Sequence, residues 1–248
     1  MHLFKLTNTF YYLLLSSNLV LHTVLGIDPI NVVCSGATFS PRDGFESNLN
    51  SLIIWLSSSA PRTGFAKNSM GQKSSDQVQG LALCTGDIRN QSCQTCLETA
   101  SSEIRSRCPS DKTASIWYDN CMLKYSNVKF LGRIDRRYFF SQCNPEKVTN
   151  HATNFRRKRA RLLRLMTSQA FFHTTLYGVG GISLEKSSIK IYALAQCTRD
   201  ISGYRCKKCL RHLTRYIIRT CWRNIGGKVY NGSCSVRFEK YSFASIGK

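Results

Sequence analysis

A length of 248 residues allows one large domain or two small ones. The 35 Lys+Arg against 14 Asp+Glu give a formal charge of +21, which draws a protein towards polyanions or anionic membranes and says nothing of its fold. The excess is uneven: residues 27–140 carry 13 basic against 10 acidic side chains, whereas residues 141–248 carry 21 against 4.

The first 26 residues have the layout of a secretory signal. Lys5 forms a positive start, Phe10 to Val20 an apolar centre, and Val24 and Gly26 are small residues suited to a cleavage point. Asn18 and His22 interrupt the apolar run, leaving it short of the roughly 20 residues that span a bilayer. No later stretch is long and apolar enough to act as a transmembrane anchor, so a cleaved signal and a released product are expected.

INVVCS then reads as a short strand. FESNLNSLIIWLSSSA places Phe45, Leu49, Leu52, Ile53, Trp55 and Leu56 at near-helical spacing, and Pro61 stops the helix. SSDQVQGLAL reads as a strand running into Cys84. CQTCLETASSEIRSRC is a second helix, with Leu97, Ala100 and Ile104 on one side. ASIWYDNCMLKYS is a strand, a tight turn at Asp119-Asn120 and a strand.

The same order returns. FFSQCN is a strand, and NFRRKRARLLRLMTSQA a helix with Phe155, Leu162, Leu163, Leu165 and Met166 as its apolar side. Gly178, Gly180 and Gly181 read as a flexible loop before the strand IKIYALAQC. CLRHLTRYIIRTC is the second helix, and GKVYNGSCSVRFEKYSF a hairpin turning at Asn231-Gly232. The order lacks a parallel crossover pattern, so an α+β module is expected, with an antiparallel sheet carrying helices on one face.

The cysteines show that this is a duplication. Cys84 to Cys96 and Cys197 to Cys209 both read C-x8-C-x2-C. Cys108 and Cys121 follow Cys96 by 12 and 25 residues, and Cys221 and Cys234 follow Cys209 by the same two distances. Cys34 and Cys143 open the two copies, so all 12 cysteines are used, six per copy. For an exported chain, an even set at repeated spacings reads as a disulfide framework, with 15 possible connectivities per copy. The alternatives are zinc at Cys93/Cys96 with Cys206/Cys209, which requires reduced thiolates, or a redox C-x2-C pair.

Other features carry less. RRKRARLLR, from Arg156 to Arg164, holds six basic residues in nine. It reads as a cationic helix face, with acidic cell-wall polysaccharide as a possible partner; it lacks the interleaved aromatics of a nucleic-acid binder. Asn90 and Asn231 each begin an N-glycosylation sequon, and Asn231 falls in a hairpin turn where a glycan is expected to fit. In the second copy the carboxylates Glu146, Glu185, Asp200 and Glu239 form no close pair for acid/base work. The five histidines form no metal-spaced cluster, and His173, after Phe171-Phe172, is expected to pack. No enzyme, cofactor or metal site is expected.

The duplicated motif, together with YALAQCTRDISGYRCKKCL, IGGKVYNGSCSVRFEKYSF and CMLKYS, resembles the plant cysteine-rich repeat secretory proteins, whose unit is the ginkbilobin-homologous domain. The resemblance implies two tandem domains, at 27–135 and 136–248, each with two helices packed on a five-stranded antiparallel sheet. It implies the pairs Cys34–Cys108, Cys84–Cys93 and Cys96–Cys121, and likewise Cys143–Cys221, Cys197–Cys206 and Cys209–Cys234. It also implies secretion to the apoplast, other cysteine-rich ectodomains as possible partners, and a link to antifungal defence.

Finally, it implies a sugar site. The founding antifungal member binds mannose through an Asn after the opening cysteine, an Arg six residues before the last cysteine and a Glu five after it. In the second copy these positions hold Asn144, Lys228 and Glu239, and in the first Ser35, Ser115 and Ser126. A carboxylate accepts from sugar hydroxyls, a cation donates, and an amide does both. Lys in place of Arg keeps the charge but loses the planar fork. The sequence is thus compatible with two functions: a mannose-type glycan-binding protein, or an interaction protein that engages acidic polymers or ectodomains through its basic second half.

Overall fold

The computed structural model describes residues 28–149, 151–184 and 188–244. The expected signal segment and Glu185 lie outside them. The first copy runs β1 (Asn31–Thr38), α1 (Gly44–Ser59), β2 (Phe65–Met70), β3 (Val78–Cys84), α2 (Asn90–Arg107), β4 (Asp111–Trp117) and β5 (Cys121–Ser126). The second repeats it as β6 (Phe139–Cys143), α3 (Ala152–Phe172), β7 (Tyr177–Ser183), β8 (Lys190–Cys197), α4 (Gly203–Thr220), β9 (Gly227–Asn231) and β10 (Cys234–Glu239). The sheets are ordered β1-β4-β5-β3-β2 and β6-β9-β10-β8-β7, the same antiparallel topology twice.

Each helix follows from local chemistry and one buried stripe. Asp43 caps α1 by accepting from the Glu46 amide at 2.9 Å, and the Glu46 carboxylate reaches back to the Arg42 amide at 2.6 Å. Phe45, Leu49, Leu52, Ile53 and Leu56 then face the sheet. Trp55 lies off that stripe and is 38% exposed, contrary to its expected place on the apolar side; Leu165 of α3 is likewise 58% exposed. In both cases the apolar arc is one residue narrower than the spacing suggested.

α2 is poor in apolar residues, burying only Cys93, Leu97, Ala100 and Ile104. Its attachment is covalent. Cys84–Cys93 and Cys96–Cys121 tie it to β3 and β5, and Cys34–Cys108 ties its end to β1. α4 is held in the same way by Cys197–Cys206, Cys209–Cys234 and Cys143–Cys221. This is the pairing that the resemblance implies. Neither C-x2-C pair is a dithiol, since its two cysteines bond to different partners and no cysteine is free. The zinc and redox alternatives are therefore excluded. The bridges at separations of 74 and 78 restrain the unfolded chain most, by about 4 kcal/mol each in the chain-entropy model.

Two strands escaped the residue-by-residue reading. β2 has no apolar alternation. β7, YGVGGIS, was expected to be a flexible loop and is instead an edge strand paired with β8 from Tyr177↔Gln196 to Ser183↔Lys190. Its glycines allow a close approach to α3, because a Cβ on Gly178 would lie 2.4 Å from the Met166 carbonyl oxygen. His173 does not pack. It is exposed at the end of α3, with Nδ1 2.8 Å from the Thr175 hydroxyl.

The basic run is not a uniformly solvated face either. Arg159 is 1% exposed. It donates to the Cys221 carbonyl at 2.6 Å and the Ile218 carbonyl at 3.2 Å, and its guanidinium lies 4.9 Å from the Phe238 ring centroid. It thus caps the C-terminus of α4, where backbone acceptors are unpaired and the helix dipole favours a cation. Burial pulls its pKa down to about 10.

The helices cover one face of each sheet, and the uncovered faces meet. Leu81, Trp117, Met122, Phe130 and Tyr230 form a third apolar cluster that joins the copies, with Trp117 and Tyr230 rings 5.7 Å apart. Gln196 donates to the Cys84 carbonyl across the joint at 2.9 Å.

Candidate functional site

The three residues singled out in the second copy converge on one edge of the uncovered face. β9 and β10 pair Lys228 with Arg237, so both side chains project to the same side, and Glu239 follows Arg237 by two residues on that side. Asn144 follows β6, its backbone N–H bonded to the Gly226 carbonyl at 3.0 Å. Gly226 is required here, because a Cβ would stand 1.7 Å from the Glu239 Oε2.

Glu239 is buried, 5% exposed, and burial raises its pKa above the ordinary value; Arg237, Asn144 and Lys228 pull the other way without cancelling that cost. Arg237 Nε lies 3.5 Å from Oε1, whereas Oε2 has no hydrogen-bond partner. Lys228 extends to Asp119 of the first copy at 3.4 Å, and the same carboxylate accepts from Arg237 at 3.1 Å. Sequence reasoning missed both Arg237 and Asp119. Arg237 was legible as the neighbour of Glu239 on an alternating strand, but Asp119 reaches the site only because the sheets pack together. Beside them lies a cavity of about 320 Å³ between the copies, whose walls include Leu83, Trp117, Tyr230 and Phe243 together with Lys228 and Arg237.

The equivalent face of the first copy is closed. Ser35 bonds to Tyr138, and Ser126 to Thr113 at 2.8 Å and to the Val128 amide at 3.0 Å, while Ser115 is fully buried. Lys124, the counterpart of Arg237, is buried against Asp135, which also takes Arg137 at 3.0 Å. These two cations hold the Asp135 carboxyl well below the usual range. The connecting segment 127–138 therefore covers this face of the first copy, with Phe130 and Leu131 amides donating to Gln79 at 3.1 and 3.3 Å.

The two sequons differ. Asn90 is exposed at the start of α2. Asn231 is 4% exposed, against the expectation of a turn open to a glycan. Its Oδ1 accepts from the Ser233 and Cys234 amides, both at 2.9 Å, and its amide nitrogen lies 3.5 Å from the Cys209 sulfur. The turn is built around that side chain, leaving no path to solvent for a sugar.

Comparison with known proteins places the chain. A family model described as salt stress response/antifungal matches it twice, over residues 33–128 and 142–241. An antimicrobial ginkbilobin-2-like protein of Castanea crenata is 43% identical over 233 residues, covering 94% of this chain and 95% of the relative. Cysteine-rich repeat secretory protein 38 of Arabidopsis thaliana is 39% identical over 233 residues, 91% of each. The solved tandem DUF26 ectodomains of the Arabidopsis thaliana cysteine-rich receptor-like proteins PDLP5 and PDLP8 superpose with TM-scores of 0.76 and 0.75, at 27% and 26% identity. Each covers 86% of this chain, and the chain covers 100% and 97% of them. Among the described residues no helix is long and apolar enough to cross a membrane. With two matched repeats, six shared-pattern bridges and relatives named as secretory, the chain is a secreted tandem protein that belongs to the salt stress response/antifungal family of cysteine-rich repeat proteins.

Proposed function

We propose that this protein acts in plant defence by binding mannose-type glycans through Asn144, Lys228 and Glu239 of its second copy. The observation that carries the reading is the state of Glu239: a buried carboxylate with one unpartnered oxygen, beside an amide and two cations. A fold keeps such a group at a cost to stability, and a donated sugar hydroxyl would offset the desolvation. Arg237, whose Nε has no hydrogen-bond partner, offers the planar donor that Lys228 lacks. The relative named as antimicrobial supports the defence setting. The test is a glycan array and a mannan pull-down with the oxidised protein. Wild type retains mannan, and Glu239→Ala and Asn144→Ala lose it. Absence of any mannan signal, or a signal unchanged in Glu239→Ala, discards the reading.

A further inference from the structure

The packed helices of the second copy carry a positive charge that no acidic side chain on them balances. α3 and α4 together hold twelve Lys/Arg and no Asp or Glu. The corresponding helices of the first copy hold three Glu and two Arg, and both arginines are in ion pairs, Arg105–Glu46 and Arg107–Glu103. Of the twelve, Arg159 is spent on capping α4. Lys207, Arg211, Arg215 and Arg219 recur every four residues along one side of α4, a row of like charges spanning about 18 Å at 1.5 Å per residue. Neighbours at that spacing repel each other. None of the four forms an ion pair among the described residues.

The row borders a cleft. α3 and α4 run antiparallel, with the Thr167 and Thr214 hydroxyls 2.9 Å apart at their contact. Between their outer edges is a hollow of about 790 Å³, lined by the row, by Arg164 across from it, and by Phe172. A second hollow shares Lys207, Arg211 and Arg215 and adds Tyr204. Phe172 and Tyr204 are 79% and 77% exposed, and the Phe172 ring leans on that of Phe171 with centroids 4.2 Å apart, so both present an open ring face.

We infer that this cleft binds a linear polysaccharide of carboxylated sugars. The charge requires a polyanion. A hollow walled by a row of cations suits a chain lying within it rather than the plane of a bilayer. Four of the five cationic liners are arginines, whose planar fork matches a carboxylate. The exposed rings supply faces for sugar rings. The cleft lies on the helical side of the sheet, opposite the side on which Lys228 and Glu239 project, so this inference stands apart from the mannose reading.

The experiment uses the full oxidised protein and immobilised polygalacturonate. Binding at about 0.1 M salt should fall at least about tenfold by about 1 M, where the Debye length shrinks from about 10 to about 3 Å. Arg211→Glu/Arg215→Glu should abolish it while keeping any mannan signal, and Glu239→Ala should leave it intact. Arg211→Gln/Arg215→Gln serves if the reversed pair misfolds, and should weaken binding at least about tenfold. Polygalacturonate with its carboxyls methyl-esterified should not bind. Retention of the esterified polymer equal to the free acid, or an unaffected Gln pair, overturns the inference. So does binding to phosphatidylserine vesicles without binding to the polymer, which would make the cleft a lipid surface.

Discussion

Replacing Arg159 tests whether the end of α4 depends on a side chain from α3. In Arg159→Ala the Cys221 and Ile218 carbonyls lose their donor, and each buried acceptor left unpaired costs about 1–3 kcal/mol. The ring contact with Phe238 adds about 1 kcal/mol, and the lost alkyl stem about 2 kcal/mol at roughly 0.8 per methylene. Against this, removing the cation relieves what burial levies on it; a pKa drawn from 12.5 down to about 10 corresponds to roughly 3 kcal/mol. The balance is a loss of about 4 kcal/mol, which in a chain of this size lowers Tm by roughly 10 °C. Arg159→Met keeps most of the stem and should lose about half as much. Arg161, exposed two residues on, is the control, and its Ala variant should stay within about 0.5 kcal/mol of wild type. Guanidinium unfolding with disulfides intact measures all three. The cap argument fails if Arg159→Ala is no less stable than Arg161→Ala.

Burial raises the Glu239 carboxyl in the folded state, so its stabilising contribution is full below the ordinary value and is lost as pH rises through the raised one. Glu239→Gln should therefore raise Tm at pH 7 yet abolish mannan retention, and its advantage should vanish in acid; a lower Tm at pH 7 would contradict this. Asp135 is the opposite case: its depressed carboxyl stabilises above the ordinary carboxylate value and loses that contribution as pH falls below about 4. Lys124→Met, which leaves Asp135 with Arg137 alone, should cost about 3 kcal/mol and flatten the acid side of the urea midpoint against pH. For the sequons, expression in a plant secretory system should give a glycan removable by Asn90→Gln and none at Asn231; a glycopeptide carrying sugar on Asn231 would show that the hairpin opens.

The cysteine offsets by themselves determined the duplication, and the apolar spacing determined the helices, because periodicity is a local property; which cysteines pair came only from the family resemblance, since spacing alone left 15 connectivities per copy. Phe45 to Leu56 and Leu97 to Ile104 were legible through that periodicity. Local spacing could not show that Arg159 turns inward from a basic run, or that Asn231 folds beneath its own turn, since both depend on acceptors supplied by other parts of the chain. Nor could it show β7, where glycines that look like a loop exist to admit the backbone of α3. The candidate site divides in the same way. Asn144, Lys228 and Glu239 were singled out by the family resemblance, which gives their offsets from the cysteines. That Asp119 steadies the cations, that Gly226 makes room for the carboxylate, and that segment 127–138 closes the sister face were decided only when the two sheets packed. Packing brings distant residues within a few ångströms, and a sequence does not record that distance.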